Sequence, residues 1–114
     1  MIDIKAIEAG IEAMKANRGA RVTPADIEAA IVREQYQSLE DTTITICLLT
    51  LRNGTKVLGY NYGAIDPAQQ DWDVGQAESR KMAVDKVWEL EGYLLREKLA
   101  ANSDVPPVRL DAAQ

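Results

Sequence analysis

Residues 42–62 read TTITICLLTLRNGTKVLGYNY, two β-branched and aliphatic runs on either side of Asn53-Gly54, and no other stretch restricts the fold as tightly. Asn-Gly between apolar runs is the strongest short-range hairpin pattern, because a two-residue turn needs positive φ at its centre. Such a turn sets the register: Arg52 faces Thr55, Leu49 faces Leu58, Leu48 faces Gly59 and Cys47 faces Tyr60. One face then collects Cys47, Leu49, Leu51, Leu58 and Tyr60, and the other Ile44, Ile46, Leu48, Val57 and Asn61. Both faces are largely apolar, so cover is expected on both sides, from helices or a second subunit. A lone hairpin is marginal in water, so further strands are expected from this chain or from another copy.

On either side of the hairpin the period changes to that of helices. Ile4, Ile7, Ile11 and Met14 predict a first amphipathic helix near residues 3–16, stopped by Asn17, Arg18 and Gly19. Thr23-Pro24 with Asp26 resembles a capping box and predicts a second helix carrying Ile27, Ala30, Ile31 and Glu34, ending between Arg33 and Leu39. From Ile65 to Leu99 a long helix is predicted, with Asp66 or Asp71 as cap and Pro67 at a first helical position. Val74, Ala77, Val84, Val87, Trp88, Leu94, Leu95 and Leu99 fall at steps of three and four along it, giving one broad apolar face. The expected fold is an α+β domain over residues 1–101: two N-terminal helices, a β-hairpin contributing to an antiparallel sheet, and a long C-terminal helix or a pair broken near Gln70. Residues 102–114, polar and broken by Pro106 and Pro107, are expected to form a poorly ordered tail.

Composition limits the chemistry. The 114 residues contain no His and one Cys, Cys47, which removes disulfides, the usual zinc ligands and the commonest general base. Cys47 in mid-strand reads as an inert core thiol. A net charge of −5 opposes attraction to long nucleic acid or to anionic membranes, although one local pocket can still hold a small anion. No apolar run approaches a membrane span and no basic-then-apolar leader is visible, so a cytosolic protein is expected. Glu89 and Glu91 diverge by about 200° around a helix and lack a nucleophile nearby, so no enzyme activity, metal or cofactor is expected.

What remains is a set of groups suited to binding. Trp72 beside Gln69, Gln70 and Asp71 suits stacking on a base whose edge an amide reads, and equally suits packing against the hairpin. Tyr60 and Tyr62 point to one face at the end of the second strand. Phosphate contacts are sought in Arg80, Lys81 and Lys86, since Asp66, Asp71 and Asp73 at the helix start repel anions; solvated surface charge is the alternative for all three. The candidate ligand-binding residues are therefore Tyr60, Tyr62, Gln70, Trp72, Arg80 and Lys86. Gly92 in a helix interior costs about 1 kcal/mol relative to Ala, so close approach of another element is expected there. Trp88, Gly92 and Leu95 are the candidate interface of a homo-oligomer, which a short chain with so much apolar surface favours.

Three pieces of the chain carry a family resemblance: VTPADIEAAIVREQY at 22–36, CLLTLRNGTKVLG at 47–59, and the 66–95 stretch that opens on DP and ends in VWELEGYLL. Together they resemble the small proteins of tailed phages grouped as the gene product 49 / gene 66 family. The resemblance implies a bacteriophage or prophage origin and an accessory role in the host bacterial cytoplasm. The expected architecture is also similar to the Thoeris anti-defence sponges. Those phage proteins enclose cyclic ADP-ribose isomers made by bacterial TIR enzymes and, in some members, cyclic oligonucleotides, and they assemble into oligomers. Relatives often carry Asn-Phe-Asp soon after the helix-opening Pro, where this chain has Gln69, Gln70 and Asp71 with the aromatic displaced to Trp72. The function so implied is non-enzymatic sequestration of a small cyclic nucleotide immune signal. The alternative is a phage inhibitor of a host protein or a small assembly factor, which the acidic surface suits.

Overall fold

The computed structural model describes residues 4–5 and 20–102. The helix expected near 3–16 and the tail expected at 102–114 therefore lie outside the described residues, apart from Ile4, Lys5 and Asn102, all helical. Thr23 opens helix α1 (Pro24–Ala30) by a reciprocal box: its Oγ1 accepts from the Asp26 amide at 3.2 Å, and Asp26 Oδ2 accepts from the Thr23 amide at 2.9 Å. The hydrogen bonds to Thr23 hold the Asp26 carboxyl below its ordinary pKa.

Helix α1 is shorter than its period suggests. It stops at Ala30, and residues 31–38, expected to continue it, form strand β1 (Ile31–Ser38). The Ala30 carbonyl accepts from the Arg52 amide at 2.8 Å, and β1 pairs antiparallel with β2 (Thr45–Leu51). β-branched Ile31 and Val32 suit the strand, and β2 offers a ladder of partners that outweighs the helical spacing of Ile27, Ala30, Ile31 and Glu34. Strand β3 (Lys56–Asn61) pairs with the other edge of β2, so the sheet order is β1-β2-β3. The further strand the hairpin required comes from this chain.

The hairpin is present, but its register differs by one residue from the expected one. Leu49 pairs with Val57, Leu48 with Leu58, Cys47 with Gly59 and Ile46 with Tyr60. The loop is Arg52-Asn53-Gly54: the Gly54 amide donates to the Leu51 carbonyl and the Leu51 amide to the Thr55 carbonyl, both at 2.8 Å. A two-residue turn would force positive φ on Asn53 as well as on glycine. Here only Gly54 of the loop takes it, at 88°, as in a type I turn closed by a glycine bulge. The shift turns β3 over relative to β2. Thr45, Cys47, Leu49 and Leu51 now share the covered face with Val57 and Gly59, whereas Ile46, Leu48, Leu58 and Tyr60 share the other.

Only the first of these faces is covered among the described residues, and what covers it is α2 (Trp72–Asn102). Asp66 caps a 3-10 turn (Pro67–Gln69), accepting from the Ala68 amide at 3.0 Å, and the chain breaks at Gln70 as one of the two expected alternatives held. Asp71 then caps α2, its Oδ1 accepting from the Asp73 amide at 3.0 Å and the Val74 amide at 3.3 Å. The buried residues of α2 are Gly75, Ser79, Ala83 and Val87, one every fourth position, not the broad apolar face expected. Val74, Trp88, Leu94 and Leu99 of that expected face are exposed. Small side chains win the seam because the helix lies almost on the strands: a Cβ at Gly59 would overlap the Ser79 carbonyl oxygen and fall 2.6 Å from the Ala83 amide nitrogen. The core between α1, α2 and the sheet is Ile27, Ala30, Cys47, Leu49, Leu51, Val57, Ala83 and Val87. Cys47 is buried within it, and that burial pushes its thiol pKa up.

One ion pair at the turn end of the sheet ties α2 to it. Arg52 reaches Glu91 at 2.9 Å, which gives that glutamate a structural partner. Beyond Glu91 the remaining 11 residues of α2 extend for about 16 Å, and Leu94, Leu95 and Lys98 among them line a cleft with Val22, Asp26 and Ala29. Gly92 follows directly, and among the described residues no other element comes within 4 Å of where its Cβ would be, so the close approach expected at Gly92 is not made by them.

Candidate functional site

The strand ends opposite the turn lead into two loops, 39–44 and 62–71, whose backbones are held by hydrogen bonds at nearly every step. In the first, the Leu39 amide donates to the Ile44 carbonyl at 3.0 Å, and the Thr42 hydroxyl closes the turn on the Leu39 carbonyl at 2.8 Å. In the second, the Thr43 hydroxyl donates to the Tyr62 carbonyl at 2.6 Å, and the Gly63 amide to Asn61 Oδ1 at 2.9 Å. The Ala64 amide donates to Gln70 Oε1 at 2.7 Å. Gly63 is required here: its φ is 87°, and a Cβ would overlap the Thr43 carbonyl oxygen. Gln70 thus pins its own loop, and its side-chain oxygen is already used.

This framework presents aromatic rings to solvent. Tyr60 and Tyr62 lie on one face as expected, ring centroids 5.3 Å apart and tilted by 48°. Tyr62 is 69% exposed, Trp72 42% and Tyr60 39%. The groups expected to form one pocket are instead spread over three clefts. Tyr62 lines one of about 510 Å³ with Asp41, Thr42, Thr43, Ile44 and Pro67. Gln70 and Trp72 line another, of about 520 Å³, with Ala68, Gln69, Asp71 and Asp73. Neither cleft has a basic side chain in its lining.

The cations are elsewhere. Arg80 faces β1, where its Nε and Nη2 donate to Glu34 Oε1 at 2.9 and 2.7 Å, and Nη2 also donates to Glu28 at 3.1 Å. These hydrogen bonds raise the Arg80 pKa and hold the Glu34 carboxyl below its ordinary value. Two carboxylates already neutralise Arg80, so it is a strut between α1, β1 and α2, far better suited to that than to a phosphate. Next to it the Tyr36 hydroxyl donates to Glu34 at 3.2 Å, and its pKa is raised to about 12, first by burial and then by the neighbouring Cys47 and Glu34.

Lys86 is different. Its ammonium donates to the Leu58 carbonyl at the free edge of β3, a neutral partner in place of a carboxylate. It shares a cleft of about 430 Å³ with Tyr60, Asn61, Lys81 and Met82, rimmed by Glu78, Asp85 and Glu89. The Tyr60 amide points at Met82 Sδ, at 3.4 Å, which ties the strand edge to α2 at this point. Of the six candidate residues, then, Tyr60 and Lys86 meet in one cleft, Gln70 and Trp72 in a second, Tyr62 borders a third, and Arg80 is in none of them. Asn61 and Met82 were not legible as site residues, because only the register and the seating of α2 bring them together.

A family model described as Phage protein (N4 Gp49/phage Sf6 gene 66) matches residues 22–99, more than half of the chain. The chain belongs to this phage family. The match spans α1, the whole sheet and α2 nearly to its end, so every cleft described above lies inside the family region. Comparison with curated proteins and with solved structures gave no match. Among the described residues, no helix is long and apolar enough to cross a membrane.

Proposed function

We propose that this phage-family protein is a non-enzymatic counter-defence factor that binds and sequesters a small cyclic nucleotide, a cyclic ADP-ribose isomer or a cyclic oligonucleotide, in the host cytoplasm. The observation that carries the reading is the cleft at the β3 edge, where an exposed tyrosine, an amide and two lysines converge. A base stacks on Tyr60, beside Tyr62. Asn61 uses its side-chain oxygen on the Gly63 amide and keeps its NH2 to donate. Lys81 and Lys86 face the phosphates, and the glutamate and aspartate rim accepts from ribose hydroxyls. This moves the site from the Trp72 loop to the flank of α2 because, of the three clefts that hold the candidate residues, this one alone has basic side chains in its lining.

Thermal shift and calorimetry against a panel of cyclic ADP-ribose isomers and cyclic oligonucleotides test the reading. A ligand at 100 times its dissociation constant adds about 2.7 kcal/mol of stability, and absence of any shift across the panel would end it. Loss of stacking in Tyr60→Ala weakens binding about tenfold or more, and Lys86→Ala weakens it in a salt-dependent way. If Trp72→Ala lowers affinity and Tyr60→Ala does not, the site is at the α2 start instead.

A second reading, inhibition of a host protein, has its own observation: Ile46, Leu48, Leu58 and Tyr60 form an apolar strip on the sheet face that α2 leaves open. Under it, Leu48→Glu abolishes counter-defence activity while nucleotide binding is absent from the start.

A further inference from the structure

The side of α2 that carries Trp88 and Gly92 is left open by the described residues. Trp88 is 37% exposed, Leu99 is exposed, and Leu95 is half-buried. At 100° per residue Asp85, Trp88, Gly92, Leu95, Arg96 and Leu99 fall within a sector of about 100°. Gly92 opens a notch in the middle of that sector, with nothing within 4 Å of its missing Cβ. Glycine is a poor helix former, and at this position no turn, cap or contact among the described residues requires it. Asp85 and Arg96, both exposed, have no charged partner within their own chain among the described residues.

These features are arranged symmetrically about residue 90. Trp88 and Gly92 lie two residues to either side of it, and Asp85 and Arg96 lie five and six residues to either side. A self-complementary pattern of this kind is what a two-fold contact requires, since each patch must fit its own copy. We propose that two copies of the chain pack antiparallel along this face of α2, Trp88 of each filling the notch at Gly92 of the other, with Asp85 of one copy paired to Arg96 of its partner. Leu99 extends the contact toward the end of α2, while Leu95, on the margin of the sector, lines a cleft with Val22 and Ala29 of its own chain. The sheet's open face does not fit a second copy in this way, because its charged positions Arg33 and Lys56 have the same sign. The contact centres on the side of α2 that carries Trp88; it shares only Asp85 with the rim of the β3-edge cleft, and sedimentation without nucleotide reads it apart from ligand binding.

Light scattering and sedimentation over a concentration series, with the full chain, test this. The wild type sediments as a dimer at micromolar concentration. Gly92→Leu has room in its own chain, so it folds with unchanged far-ultraviolet circular dichroism and sediments as a monomer. Asp85→Arg and Arg96→Asp each weaken the dimer by tenfold or more, and the double reversal restores it. Residues 85 and 96 are about 16 Å apart along one helix, so a restored dimer requires pairing between chains. A monomeric wild type overturns the proposal, as does a dimer indifferent to Gly92→Leu or a double reversal that fails to restore. So does a Gly92→Leu monomer less stable than the wild type diluted to its monomer, because the notch is then filled by residues of the same chain.

Discussion

Gly59→Ala tests how closely α2 is seated on the sheet. The added Cβ would overlap the Ser79 carbonyl oxygen and come within 2.6 Å of the Ala83 amide nitrogen and 3.0 Å of the Ala83 Cβ. Two of these three are backbone atoms of a helix, which no side-chain rotation can move aside, so α2 must lift by on the order of 1 Å or β3 must bend. Either movement loosens Ala83 and Val87 against Cys47, Leu49 and Val57. Overpacking of a core costs about 1–3 kcal/mol where side chains can shift, and this clash sits at the upper end or beyond it. Alanine returns roughly 0.4–1 kcal/mol by restricting the unfolded chain. The expected net loss is therefore about 2–4 kcal/mol, a drop in melting temperature on the order of 10–25 °C for a domain of this size. Urea unfolding followed by tryptophan fluorescence and by circular dichroism measures it. Ser79→Ala is the control: it trims the same seam, removes only a hydroxyl bonded to the Gln76 carbonyl at 2.9 Å, and changes stability by less than about 0.5 kcal/mol. A Gly59→Ala protein as stable as the wild type would refute the close seating.

Thr45 buries a hydroxyl with no hydrogen-bond partner among the described residues, 2.6 Å from where a Cβ on Gly75 would fall, so the isosteric Thr45→Val raises stability by about 1 kcal/mol in the same urea assay; a loss would mean that the hydroxyl is satisfied. Glu34, held below its ordinary pKa of 4.5 by Arg80, contributes stability that is present above that value and is lost as pH falls through its lower folded value. Arg80→Gln therefore flattens the fall in the urea midpoint below about pH 4.5, and an unchanged slope would remove the strut from the account.

Much of the local structure was legible before any folding was considered. Thr23, Asp66 and Asp71 cap where their side chains predict, Pro24 and Pro67 open helical turns, and Asn53-Gly54 marks a hairpin, since capping and turn chemistry act over three or four residues. The break at Gln70 and the burial of Cys47 were readable for the same local reason. Tertiary structure decided whatever depended on partners distant in sequence. Residues 31–38 form a strand because β2 offers them a ladder, although their spacing continues a helix. A one-residue difference in the turn moved Leu58 and Tyr60 to the open face, because side chains alternate with a period of two. The seam of α2 is Gly75, Ser79, Ala83 and Val87, of which hydrophobic periodicity picks out only Val87, because at close range the fit of backbone to backbone outweighs the apolar area of any one side chain. That seating alone separates Arg80, spent on Glu28 and Glu34, from Lys86, left charged beside Tyr60. Along the helix they are only six residues apart, and the sequence gives each the same positive charge.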